Sequence, residues 1–172
     1  MTRRVSDVMT RGVITIGPDD TLQRAAEVMK DLNVGSLPVC SGDRLVGVVT
    51  DRDITVRAVS LALDPRSTPV TGAMTVAPKY CFDTDPIEQA SALMQQLQIR
   101  RLPVIDADNK LVGIVTLGDI AVRGGRDNAL RALTSISTPA EPHRPAGLSS
   151  FERNDRPSTT VYWALGDARA QA

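Results

Sequence analysis

Two stretches of the chain place a hydroxyl and a carboxylate at the same spacing. Gly47-Val48-Val49-Thr50 is followed by Asp53, and Gly113-Ile114-Val115-Thr116 by Asp119. Thr-x-x-Asp is close to the spacing of a capping box, in which the hydroxyl takes a free backbone N–H and the acidic side chain reaches back to the first residue. The same geometry can hold a ligand. A helix start after a buried strand offers oriented N–H groups and positive potential to a phosphate. The threonine hydroxyl can join that contact, and an aspartate one turn in can accept two hydrogen bonds from a diol such as that of a ribose. The glycine opening each stretch would let the backbone approach a ligand, or serves only the turn. Capping and binding can coexist, and both readings stand at this level.

Other chemistries find little support. The sole histidine, His143, lies in a proline-rich stretch, and the two cysteines, Cys40 and Cys81, sit in apolar runs without metal-type spacing. Neither a zinc site nor a Cys-His nucleophile pair is expected from such a set. No catalytic constellation, Gly-rich dinucleotide loop or Walker lysine is present, so the chain does not read as an enzyme and no resident cofactor is required. Lys+Arg and Asp+Glu are both 20, and aromatics make up 3% of 172 residues. That balance argues against general nucleic-acid or membrane affinity. The N-terminal Met1–Thr10 lacks the apolar run of a signal peptide. The expectation is a soluble, cytoplasmic protein.

The two motifs belong to a longer repeat. Asp7-Val8-Met9-Thr10 answers to Gly72-Ala73-Met74-Thr75, Met29 to Met94, and Leu37-Pro38-Val39 to Leu102-Pro103-Val104, all at one offset. After a one-residue insertion in the Asp106–Lys110 turn, Gly47 answers to Gly113 and Asp53 to Asp119. Each unit has one plan. Leu22, Ala25, Ala26, Met29 and Leu32 form one apolar helical face, repeated by Ile87, Ala90, Met94 and Leu97 with Ser91 in place of Ala26. Asp20 and Asp85 precede these helices and suit their positive ends. Short strands follow at SLPVC and RLPVI. After polar turns come LVGVVT and LVGIVT, apolar enough for strands buried on both faces. A second helix begins near Asp51 and again near Gly118. The order is β-α-β-β-α, twice. One unit buries too little surface to be comfortably stable alone, so the two should pack into an α+β body with an internal pseudo-two-fold axis and paired clefts.

The doubled pattern of V-x-D-x-M-T, amphipathic helix, LPV and G-h-h-T-x-x-D resembles a tandem CBS-domain pair, or Bateman module, from about Val5 to Gly125. The resemblance implies binding of adenosine-containing ligands (AMP, ADP, ATP, NAD or S-adenosylmethionine) in clefts between the repeats. Carried over by position, it implies ribose and phosphate contacts from Thr50 and Asp53 in one cleft and from Thr116 and Asp119 in the other. Base walls would draw on Val13, Ile14, Tyr80 and Cys81, with Pro38 and Pro103 beside them. Arg100 and Arg101, before the second LPV, stand where some relatives bind phosphate, whereas the first unit has Gly35 and Ser36. A solvated charge pair is the alternative for the arginines. If they bind, the clefts are unequal, and the Asp119 cleft is expected to take the more negative ligand.

The expected organisation is repeat 1 with a linker helix over 1–66, repeat 2 over 67–126, and a short helix with a proline-rich tail over 127–172. Within that tail, residues 159–165 carry Trp163 and are rich in β-formers. The functional expectation is a stand-alone homodimeric sensor, with an adenine nucleotide as regulatory ligand and an unidentified client protein. The alternative is a structural adaptor whose Thr-x-x-Asp motifs only cap helices.

Overall fold

The computed structural model describes residues 3–123. They fall within one compact unit, Met1–Thr138. The expected short helix and tail, with Trp163, lie outside the described residues.

Two three-stranded sheets carry the fold, each built on one antiparallel hairpin. In the first half, helix α1 (Leu22–Leu32) is followed by a hairpin of β1 (Ser36–Ser41) and β2 (Arg44–Thr50). A single turn, α2 (Asp51–Asp53), then widens into a π-helical turn over Ile54–Ala58. In the second half, β4 (Cys81–Phe82) precedes α3 (Ile87–Leu97), the hairpin of β5 (Arg101–Ile105) and β6 (Leu111–Thr116), and α4 (Leu117–Arg123). β4 runs parallel to β5. Its counterpart in the first half is reduced to a single parallel bridge, Ile16 to Val39. This is the α+β repeat expected from the periodicity.

Helix α1 buries Leu22, Ala25 and Met29, and α3 buries Ile87, Ala90, Ser91 and Met94. The apolar stripe is narrower than expected on α1, because Ala26 and Leu32 are exposed. Asp20 and Asp85 do not cap the helices. Each carboxylate accepts the N–H three residues back, Gly17 and Phe82, both at 2.8 Å, and so closes the preceding turn. Thr21 is the side chain that caps α1, accepting from Arg24 N at 3.1 Å. Both helices stop at a residue in the left-handed region, Asn33 (φ 52°) and Gln98 (φ 53°).

The segments before the helices pack on the opposite half. β3 (Thr75–Val76) pairs antiparallel with β2, at Gly47–Val76 and Val48–Thr75. Thr10 makes the matching bridge to Ile114 on β6. Accordingly one core joins Val5, Val8 and Met9 to Ile87, Met94, Leu102, Val115 and Ile120. The other joins Val70 and Ala73 to Leu22, Met29, Leu37 and Val49. Fully burying side chains of this size contributes about 1.5–3 kcal/mol each, so each half draws part of its core from the other's stretch of sequence.

β2 and β6 differ from expectation in one respect. Along each, buried and half-buried positions alternate from the glycine onward instead of being buried on both faces. Val48 and Ile114, on the half-buried face, line the cleft between the halves.

Candidate functional site

Both Thr-x-x-Asp motifs form complete reciprocal caps. Asp53 N donates to Thr50 Oγ1 at 3.0 Å, and Asp53 Oδ2 accepts from Thr50 N at 3.0 Å and from Thr50 Oγ1 at 2.7 Å. In the second half, Asp119 N donates to Thr116 Oγ1 at 3.1 Å, while Asp119 Oδ2 accepts from Thr116 N at 2.9 Å and Thr116 Oγ1 at 2.6 Å. One carboxylate oxygen is therefore committed to the cap. The other takes no part in the cap.

The first helix N–H is also committed in both halves. Asp51 N donates to the Gly35 carbonyl at 3.1 Å, and Leu117 N to the Arg100 carbonyl at 2.9 Å. Arg52 N donates to Asp51 Oδ1 at 2.6 Å. All three N–H groups of α2 thus have partners, contrary to the expectation that this helix start would present them to a phosphate. Positive charge beside Thr50 comes from side chains instead.

The residues that carry them line one cleft of about 590 Å³ between the halves. Thr50 and Asp53 stand on its wall with Arg100 and Arg101, and Pro38 faces it with Pro103. Gly35 and Ser36, the positional counterparts of the arginines, line the same space. This corrects the expected pairing, which set the arginines in the Asp119 cleft. The residues at the starts of β1 and β5 open onto one shared cleft, so Arg100 and Arg101 share it with the threonine and aspartate of the other repeat.

The remaining wall residues separate. Val13 lines a smaller cavity of about 270 Å³ with Thr15, Cys40 and Asp43. Tyr80 lines its pseudo-symmetric counterpart of about 320 Å³, where Lys79 and Asn109 also stand. Tyr80 packs edge-on against Phe82, with ring centroids 5.7 Å apart. Ile14 is 53% exposed. Cys81 is not a wall residue: it is buried in the core of the second half, where β4 pairs it with Val104. Burial, reinforced by the Asp85 charge, pushes its thiol up to about 12. Desolvation, then the Asp43 charge, also raises the Cys40 thiol. Thr116 and Asp119 share their cap but do not line the Thr50 cleft.

Sequence reasoning missed two polar cleft residues, Lys79 and Thr75, along with apolar ones such as Val48 and Ile114. Lys79 was legible in principle, since it occupies the position of Ile14 in the aligned repeat. Lys79, Arg100 and Arg101 set three cations against Asp53, a charge pattern suited to an anionic ligand. Among the described residues no group of three or more His, Cys, Asp or Glu side chains is arranged to hold a metal ion, and no helix is long and apolar enough to cross a membrane.

Comparison with known proteins agrees with this architecture. The chain is 46% identical over 134 residues to the CBS domain-containing protein YhcV of Bacillus subtilis, covering 77% of this chain and 94% of that one. The structure of CBSX2 in complex with AMP superposes with a TM-score of 0.59 at 31% identity, over 77% of this chain and 97% of that one. CBSX2 is a CBS-pair protein from Arabidopsis thaliana. The CBS domain pair of MJ0100 in complex with 5′-methylthioadenosine and S-adenosyl-L-methionine gives 0.60 at 27% identity, over 71% and 95%. The sequence pattern of the CBS domain matches residues 5–59 and 70–123, one match per half. With two such matches on two like hairpins, the chain belongs to the CBS domain family and carries a tandem pair.

Proposed function

We propose that this pair is a regulatory sensor that binds a phosphorylated adenosine ligand in the cleft holding Thr50, Asp53, Arg100 and Arg101. The observation that carries the reading is that a Thr–Asp pair from one half and two arginines from the other line one cleft. Asp53 and Thr50 would take the ribose hydroxyls, and Arg100 and Arg101 the phosphate, for which a planar fork of donors is well suited. Pro38, Pro103, Val48 and Ile114 supply apolar surface for the base. AMP in CBSX2 and the two adenosyl ligands in MJ0100 support adenosine as the common element. The cations of the present cleft favour the phosphorylated members of that class. Thr116 and Asp119 are proposed as a second, less cationic contact point.

A ligand held by both halves changes their relative preference for one orientation and so biases the surface offered to a client protein, within the limit of its differential affinity. The ligand leaves unchanged. The same proposal includes a homodimer, supported by the exposed Val59, Leu61 and Val122, which are 65%, 68% and 85% accessible.

Thermal-shift and calorimetric titration with AMP, ADP, ATP, NAD, S-adenosylmethionine and 5′-methylthioadenosine tests the reading. A ligand at a hundredfold excess over Kd should add about 2.7 kcal/mol of stability. No response across the panel returns the motifs to helix capping and the protein to an adaptor role. Chromatography of the bound nucleotide checks that it is recovered intact, and native mass spectrometry reads the subunit number.

A further inference from the structure

We infer that Arg57 is a positioning residue for the ligand hydroxyls and ties the cleft to the exchanged segment 70–76, an inference that rests on the ribose role proposed for Asp53. Its Nη2 lies 3.4 Å from Asp53 Oδ1. That is the carboxylate oxygen not taken by Thr50, whose N–H and hydroxyl both donate to Oδ2. Its other terminal nitrogen, Nη1, is held at 2.9 Å from the Ala73 carbonyl, 3.0 Å from the Met74 carbonyl and 3.3 Å from Thr75 Oγ1.

The guanidinium is therefore fixed by the backbone of the segment that crosses from the other repeat, and it presents its remaining face to the aspartate. Thr75, which it also holds, is itself a cleft residue. The Asp53 side chain is only 16% accessible, so its orientation is set by these neighbours more than by water. A 3.4 Å separation is long for a charge-assisted hydrogen bond. It places a fixed cation beside Oδ1 while leaving that oxygen capacity to accept from a ligand hydroxyl. Such a residue need not touch the ligand to set how well Asp53 reads a diol.

The arrangement follows from the exchange of segments, because the carbonyls that hold Arg57 belong to Ala73, buried with Val70 in the core of Leu22, Leu37 and Val49, and to Met74, packed against that core. Occupancy of the cleft and the position of segment 70–76 are joined through this one side chain. Removing the guanidinium should then lower not only affinity but discrimination between ligands with and without the ribose hydroxyls. A side chain that merely stabilised the fold would not move that ratio.

The test is calorimetric titration of AMP and its 2′,3′-dideoxy analogue against the full chain, for wild type, Asp53→Asn, Arg57→Met, the double variant of these two, and Arg57→Lys. Wild type is expected to prefer AMP by about tenfold or more, the loss that follows from removing hydrogen bonds to a charged group. Asp53→Asn and Arg57→Met should each reduce that preference to about threefold or less, with their double variant no worse than either alone. Wild-type preference with full dependence on Asp53, but unchanged preference in folded Arg57→Met, overturns the Arg57 inference and leaves the ribose reading intact. If AMP does not bind wild type, or Asp53→Asn keeps its preference, the ribose reading falls and this inference with it. Where Arg57→Met fails to fold, Arg57→Lys, unable to span two carbonyls and a carboxylate, carries the same two outcomes.

Discussion

Met9 approaches β6 so closely that a β-carbon at Gly113 would sit 2.8 Å from its sulfur and 2.7 Å from the Thr10 carbonyl oxygen. Met74 stands in the same relation to Gly47, where a β-carbon would lie 2.6 Å from its sulfur and 3.1 Å from the Thr75 carbonyl. The glycines of the two G-h-h-T stretches therefore make room for a methionine of the exchanged segment, not for a ligand. In each half the contact is between residues that begin one repeat and the second hairpin strand of the other.

Gly113→Ala is expected to destabilise the protein by about 1–3 kcal/mol, the usual cost of overpacking, because the Thr10 carbonyl cannot step aside without breaking the bridge to Ile114. Gly47→Ala should cost less, since its nearest obstacle is the flexible end of Met74. Urea unfolding of both variants checks the order, and a milder effect at Gly113 would contradict it.

Arg100 and Arg101 open onto the Thr50 cleft, so replacing both with alanine should weaken phosphorylated ligands far more than adenosine. Losing charge-assisted contacts of this kind corresponds to about 1.5–3 kcal/mol, roughly 10- to 150-fold in Kd. Affinity of the wild type should also fall as salt is added, and less so in the double variant. Equal losses for AMP and adenosine would place the phosphate elsewhere.

Asp53→Asn and Asp119→Asn separate capping from binding. As caps the two are alike, and each variant should lose about 0.5–1 kcal/mol of apo stability or less. As ligand contacts they differ, because Asp53 shares its cleft with the arginines and Asp119 does not line it. AMP affinity is expected to drop about tenfold or more in Asp53→Asn and by less in Asp119→Asn, measured by titration calorimetry. The reverse order would restore the pairing expected from sequence.

The thiol of Cys81 supplies a pH signature. Its folded value is raised from 9.0 to about 12 by burial and then by Asp85. Above pH 9 the unfolded chain releases this proton while the folded chain retains it, so this contribution is intact below about pH 9 and is lost as pH rises toward 12. Relative to Cys81→Val, wild-type stability should fall more steeply with pH in that window. Native protein should also label slowly with a thiol reagent near neutral pH, and unfolded protein quickly. Rapid labelling of Cys81 in the folded chain would oppose the buried assignment.

What the sequence determined by itself were features closed over a few residues. The Leu22–Met29 and Ile87–Met94 stripes, the LPV strands and the Thr-x-x-Asp caps depend on neighbours two to four positions away, and each is present where its spacing puts it. The repeat made the two-fold plan legible, because like segments fold alike. Tertiary structure decided which halves supplied which contacts. Val5 to Met9 could as well have packed on their own repeat by hydropathy, and Arg100 and Arg101 could have served either aspartate by composition. The choice came from contacts between distant parts of the chain: Thr10 bridging to Ile114, β3 adding to β2, and the residues at the starts of β1 and β5 opening onto one cleft. Local spacing carries no record of those pairings, since a buried valine or an arginine fork is equally satisfied by chemically similar surroundings on either side of a pseudo-two-fold axis.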